Sequence, residues 1–311
     1  MANYLNILLY VVILISIICS LYVAFKLYKN KINYLIGILS AATAMIDFAV
    51  FSSIIWINDF KNLVPRKFCI VQGIAIQYCA YLQIMSALCF SIHLYNLLVR
   101  QKERTSQTLH RAYICSIIII PILMTLIVAY FSIKYDAIQP FELSCDIKEP
   151  KWVKMVGYPG FNLIITIIGA YFSIRAVAKV FSHLDHFKSQ MTDMISTNKS
   201  TTEVNEINRE NEANEANEAN ETGVRNDHYI RNIQKSYNLT KAAAIRMVLF
   251  SLGFTIVNIL ASVQSVLLVI KKGDDKTTGV RTADFALSFS GIIIYLIFGL
   301  PSVIKKRLSR S

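Results

Sequence analysis

Asp47 is the only acidic side chain deep inside a long apolar run of this chain, and Thr43 and Ser40 precede it by one and two helical turns. A carboxylate in hydrocarbon is costly to keep, so it marks function by default: it can hold a cation, accept a proton or anchor a polar network that rearranges between two states. A protonated, purely structural acid is the plainer alternative, and both stand open at this point. Other polar residues recur at helical spacing within apolar segments. Ser251, Thr255, Asn258, Ser262 and Ser265 are spaced four, three, four and three, with Gln264 alongside. Gln72, Cys79, Gln83, Ser86, His93 and Arg100 form a second seam. Tyr158, Asn162, Thr166 and Ser173 form a third, and Asp284, Ser288, Gly291 and Tyr295 a fourth. At 3.6 residues per turn each set stays on one face. Polar side chains avoid lipid, so these faces point to a shared interior. Most such contacts are interhelical glue, worth on average about 0.6 kcal/mol each.

The chemistry that is missing narrows the reading. The sequence holds no HExxH, phosphate-binding loop or GxSxG motif. His183, Asp185 and His186 lie close together but lack further ligands and read as solvated, so no metal site is expected. The segment 283–304 has no lysine for a retinal Schiff base. The chain is therefore not read as an enzyme, and no cofactor is expected.

The elements that must position these residues are helices in lipid. Of the 311 residues, 54% are hydrophobic, and the mean hydropathy of +0.46 is too apolar for a soluble domain of this length. Runs of about 18 or more apolar residues cross a hydrocarbon core as helices. Seven are expected, at about 4–27, 32–57, 68–99, 112–133, 156–181, 242–270 and 283–304. The first is too long for a signal-peptide core and lacks a basic leader, so it is kept as span one. The expected fold is an all-α membrane bundle of seven spans forming a single domain over 1–311.

Orientation follows the basic residues, which stay in cytoplasmic loops. The first, third and fifth loops and the C-terminal tail hold 21 of the 32 lysines and arginines, and the other loops hold 11. The N-terminus is thus expected outside and the C-terminus in the cytoplasm. The net charge of +12 flanks apolar spans, so the bilayer, not nucleic acid, is its expected partner. The fifth loop, 182–241, turns to Asn, Glu, Ser and Thr and contains the run NEANEANEANE from Asn211. Such a segment buries too little apolar surface to order itself, so it is expected to be largely disordered. Its Ser196, Thr197, Ser200, Thr201 and Thr202 are candidate phosphorylation sites beside a basic stalk.

Four of six cysteines (Cys19, Cys79, Cys89 and Cys115) fall inside expected spans. Cys69 and Cys145 alone sit on the oxidising face, and a disulfide between them is expected.

Seven spans, an outside N-terminus, the Cys69 and Cys145 placement and a long basic-edged fifth loop together resemble the G-protein-coupled receptors. The stretches TKAAAIRMVLFSLGFTIVNIL from Thr240 and IYLIFGLPSVIKK from Ile294 look like the cAMP-receptor-like and secretin-like receptors of fungi and amoebae. Rhodopsin-like signatures are missing: span three ends in HLYNLLVRQK, and span seven has no Asn-Pro-x-x-Tyr. The lipopeptide pheromone receptors of fungi are a neighbouring branch, suggested by Asp47 and by Phe298 and Gly299.

The resemblance implies a plasma-membrane receptor in which an extracellular ligand stabilises one of two bundle arrangements and the inner ends of spans five and six admit a heterotrimeric G protein. It implies a ligand pocket, with Gln72, Gln83, Trp152, Tyr158, Asn162 and Gln264 as candidates, and an intramembrane polar switch at Asp47 and Asn258. On the inner face Arg100, Lys102, Arg104, Lys179, Lys241, Arg246 and Lys305 are candidates to meet the G protein. Two further readings stay open: a seven-helix channel or carrier using Asp47 as its ion site, and a scaffold without a ligand.

Overall fold

The computed structural model describes residues 2–29, 34–56, 60–99, 107–141, 143–157, 160–182, 189, 245–246, 248–259, 262–263 and 282–299. The described chain is predominantly helical. Helix α1 (Ala2–Lys29) is followed by α2 (Tyr34–Phe51), which a 3-10 turn extends through Trp56, and by the short α3 (Phe60–Leu63). Then come α4 (Arg66–Leu98) and α5 (Gln107–Lys134). A hairpin of β1 (Ile138–Pro140) and β2 (Cys145–Ile147) leads to α6 (Lys151–Gly157). The remaining helices are α7 (160–182), α8 (Val248–Ile259) and α9 (Thr282–Ile294), whose C-terminal end widens into a π turn, Tyr295–Gly299.

Among the described residues, five stretches are long and apolar enough to cross a membrane: Asn6–Lys29, Tyr34–Trp56, Arg66–Leu97, Gln107–Lys134 and Lys151–Ser182. They overlie the first five expected spans. Val248–Ile259 and Ser288–Gly299 are shorter apolar helices within the sixth and seventh.

Alongside an apolar core that includes Leu9, Ile36, Leu39 and Tyr81, the bundle buries polar side chains and turns large apolar ones outward. Ser16, Ser20, Ser40, Thr43, Asp47, Gln72, Gln83 and Asn162 are buried, while Ile7, Leu8, Phe48, Ile119, Leu126, Ile164 and Tyr171 are exposed. Polar groups kept inside an apolar jacket are the arrangement lipid selects, because each unpaired polar group costs several kcal/mol in hydrocarbon. Pro121 lies inside α5.

The chain divides into two compact units, 1–174 with 250–311, and 175–249. In the first, α1 packs on α2 and α9, α2 on α4, and α4 on α5. The second holds the last turns of α7, where Ala176 and Val180 are buried, and the start of α8, where Val248 is buried. The expected disordered loop, 182–241, lies outside the described residues except for Ser182 and Ser189.

The hairpin is the one departure from an all-α reading among the described residues. Its antiparallel register pairs Ile138 with Ile147, Gln139 with Asp146 and Pro140 with Cys145. Cys145 is disulfide-bonded to Cys69 near the start of α4, with the two Cα atoms 5.2 Å apart. Lys154 on α6 donates to Asp146 at 2.9 Å, which holds α6 against β2. Ile138 and Ile147 are buried with Tyr81 and Val128, so a three-residue ladder gains an apolar footing that it lacks alone.

Candidate functional site

Three polar clusters run through the bundle. The first joins α1, α2 and α9. Ser16 on α1 donates to the Asp47 carboxylate at 2.5 Å, and Ser40 donates to the Ser20 carbonyl at 2.8 Å. Gly291 on α9 faces the same pair of serines. A Cβ placed there would collide with both hydroxyl oxygens and lie 2.8 Å from the Ser16 carbonyl, so only glycine permits this approach of α9 to α1. Thr43 donates to the Leu39 carbonyl at 3.0 Å and accepts from Gln83 on α4 at 2.9 Å. Asp47 and Thr43 thus face neighbouring helices from adjacent turns of α2.

The second cluster ties the hairpin to the helices. The Gln72 amide nitrogen donates to the Ala49 carbonyl at 2.7 Å and to the Ser53 hydroxyl at 2.5 Å. Its carbonyl oxygen accepts from the Cys145 backbone N–H at 3.1 Å. One side chain therefore links α2, α4 and the disulfide-bonded strand. The Tyr81 hydroxyl donates to the Gly157 carbonyl, which fastens α4 to the end of α6.

The third cluster lies toward the opposite end of α4. The hydroxyls of Ser91 on α4, Ser173 on α7 and Ser251 on α8 form a triangle with sides of 3.1 Å (Ser173 to Ser91), 2.6 Å (Ser173 to Ser251) and 3.2 Å (Ser91 to Ser251). Ser91 also donates to the Ala87 carbonyl at 3.0 Å and Ser173 to the Gly169 carbonyl at 2.8 Å, so their single protons are shared between the triangle and the helix backbones. Phe90, Phe250 and Phe298 pack edge to face beside it, with centroids 6.1 and 5.1 Å apart. A crevice lined by Ile84, Leu88, Thr166, Phe254 and Asn258, among others, lies between the same three helices and has room for about one water. The Asn258 amide donates to its own helix at the Phe254 carbonyl, 2.7 Å away.

The structure separates the candidate ligand residues. Gln72 is committed to the hairpin and Gln83 to Thr43. Asn162 is fully buried, and neither its amide oxygen nor its nitrogen has a hydrogen-bond partner among the described residues. Trp152 lies at a rim, half exposed and edge to face with Phe131 and Tyr135. Tyr158 and Gln264 lie outside the described residues. Of the candidate G-protein contacts, Arg246 is exposed and Lys179 half-buried, while Arg100, Lys102, Arg104, Lys241 and Lys305 also lie outside them.

Sequence reasoning missed Ser16 and Ser20, although their spacing of four in an unbroken apolar run is a legible polar face. It also missed Ser91, Ser53 and Tyr81. Ser53 and Tyr81 carry no signal of their own, because a hydroxyl at a helix end or within an aromatic-rich segment has many uses.

A family model described as slime mold cyclic AMP receptor matches residues 1–211. No curated protein matches the chain.

Proposed function

We propose, since the chain belongs to the slime mold cyclic AMP receptor family, which is G-protein-coupled-receptor-like, that it is a seven-span plasma-membrane receptor promoting nucleotide exchange on a heterotrimeric G protein. Its N-terminus and the disulfide end face outward, and its C-terminus and the long loop 182–241 face the cytoplasm. The receptor works without a cofactor or reaction of its own. A ligand shifts the equilibrium between closed and open bundles by its differential affinity for them.

The observation that carries this reading is the triangle of Ser91, Ser173 and Ser251. It joins α4, α7 and α8 at the end where an opening of spans five and six would have to part them. Hydroxyl contacts of this kind are weak enough to break and remake, which suits a switch better than a permanent brace. The Asp47 network with Ser16 and Gly291 is the second element that such a rearrangement would move.

Cyclic AMP, named in the family's description, is the first ligand to test. Asn162 is the best anchor for it among the candidates, because an adenine edge offers one donor and one acceptor to a carboxamide. In purified receptor reconstituted in lipid, cyclic AMP is expected to accelerate nucleotide exchange on an added α subunit, and Asn162→Leu to weaken the response. A flux of ions that depends on Asp47 and needs no G protein would instead favour a carrier.

A further inference from the structure

The exposed stripe of α5 ends in a patch of aromatic rings around one ammonium. Ile119, Leu123, Leu126, Tyr130 and Ile133 are all exposed and are spaced four, three, four and three, so they share one face of the helix. Lys134 follows Tyr130 by one turn and is exposed too. Its Nζ lies over the rings of Tyr130 and Tyr135, 5.8 and 5.6 Å from their centroids. Trp152 on α6 adds a further ring, edge to face with Phe131 at 5.0 Å and with Tyr135 at 5.6 Å. Tyr130, Tyr135 and Trp152 remain 59%, 46% and 44% exposed. Val156, one turn after Trp152, is exposed as well.

Lys134 differs from two other basic side chains at this end of the bundle. Arg66 is paired with Asp136 at 2.6 Å and Lys154 with Asp146 at 2.9 Å. Lys134 has no carboxylate partner among the described residues. The two tyrosine rings hold its ammonium in place but supply no counter-charge.

We propose that this patch binds one membrane phospholipid from the leaflet on the hairpin side. The phosphate meets the Lys134 ammonium, the glycerol and ester carbonyls lie against Tyr130, Tyr135 and Trp152, and an acyl chain runs along the α5 stripe. The lengths agree. Leu123 to Lys134 is eleven residues, about 16 Å of helix axis, and half of a hydrocarbon core of about 30 Å is about 15 Å. The chemistry agrees as well. Tyrosine and tryptophan favour the headgroup level, where an apolar ring body meets lipid and its polar tip meets water. Lysine binds phosphate as a point charge. A soluble anion would satisfy Lys134 alone, whereas the stripe beneath it selects an anion that carries a hydrocarbon chain.

Two measurements test the site. Trp56 and Trp152 are the two tryptophans of the chain, so Trp56→Phe leaves Trp152 as the only tryptophan emitter. In proteoliposomes its emission is expected to be quenched severalfold more by phospholipid carrying a nitroxide near the chain carbonyls than by phospholipid carrying it near the chain end. Equal or weaker quenching by the shallow label, or quenching by neither, would overturn the proposal. In native mass spectrometry of the detergent-purified protein, dioleoylphosphatidylcholine is expected to be retained severalfold more than dioleoylglycerol, which has the same chains and no phosphate. Lys134→Gln should retain one phosphatidylcholine fewer than the wild type, and Lys134→Arg the same number. A count unchanged in Lys134→Gln, or equal retention of the two lipids by the wild type, would also overturn it.

Discussion

The hydroxyl oxygens of Ser173 and Ser251 lie 2.6 Å apart and join α7 to α8 across a contact that Ser91 closes from α4. Replacing Ser251 with alanine removes two of the three sides of that triangle and leaves Ser173 bonded to Gly169 and Ser91. Two contacts of about 0.6 kcal/mol each amount to a rise of five- to tenfold in the open population. Ser251→Ala is therefore expected to raise ligand-independent nucleotide exchange by about that factor. Ser173→Ala should behave alike, and the double variant should add little, because both changes break the same triangle.

Asp47 accepts from Ser16 inside the bundle. Asp47→Asn keeps an acceptor for that hydroxyl and is expected to reach the membrane folded. Asp47→Leu strands the Ser16 donor at a cost of about 1–3 kcal/mol. Melting in detergent should rank wild type and Asp47→Asn together above Asp47→Leu. Proteoliposomes of the wild type should show no Asp47-dependent ion flux.

Gly291 faces Ser16 and Ser20 too closely to accept a side chain. Gly291→Ala forces α9 away from α1 and is expected to cost about 1–3 kcal/mol, as overpacking does in tight cores. Ser16 cannot yield enough to relieve it, because its backbone carbonyl is among the atoms in the way. Ser16→Gly combined with Gly291→Ala should recover only part of the lost melting temperature.

The Cys69–Cys145 bond closes a loop of 76 residues, and Gln72 binds the Cys145 N–H next to it. Loss of such a crosslink typically costs about 2–4 kcal/mol. Cys69→Ser, Cys145→Ser and the double variant should lower the melting temperature by the same amount, since each removes the same bond. Gln72→Leu should add a separate loss, seen by thermal denaturation in detergent.

Much of this was legible in the sequence, for reasons that are local. Apolar runs locate membrane helices because hydrocarbon tolerates nothing else, and five long helices stand where the runs stand. A helix repeats every three to four residues, so the stripe Ser251, Thr255, Asn258, Ser262 and Ser265 was expected to point inward; Ser251 and Ser262 are buried, Thr255 and Asn258 half-buried, and Ser265 lies outside the described residues. Contacts between distant segments were not legible. Asp47 was recognisable as a buried acid, but nothing in its neighbourhood identifies Ser16, 31 residues away, as its donor. Gln72 and Trp152 were grouped as ligand candidates on polarity and position, yet Gln72 supports the hairpin and Trp152 packs at a rim. The hairpin itself was hidden, because three-residue strands gain their stability from the disulfide and from the face of α4 beneath them.

The most direct test is nucleotide exchange on a panel of purified G-protein α subunits, with the receptor in lipid and with or without cyclic AMP, comparing wild type with Arg246→Glu. Arg246 is exposed two residues before α8, and reversing its charge should disturb a partner surface without disturbing the bundle. Exchange above the lipid-only background is expected on at least one subunit, and its loss in Arg246→Glu. Absence of exchange on every subunit, with folded wild-type receptor and cyclic AMP present, would contradict the receptor reading.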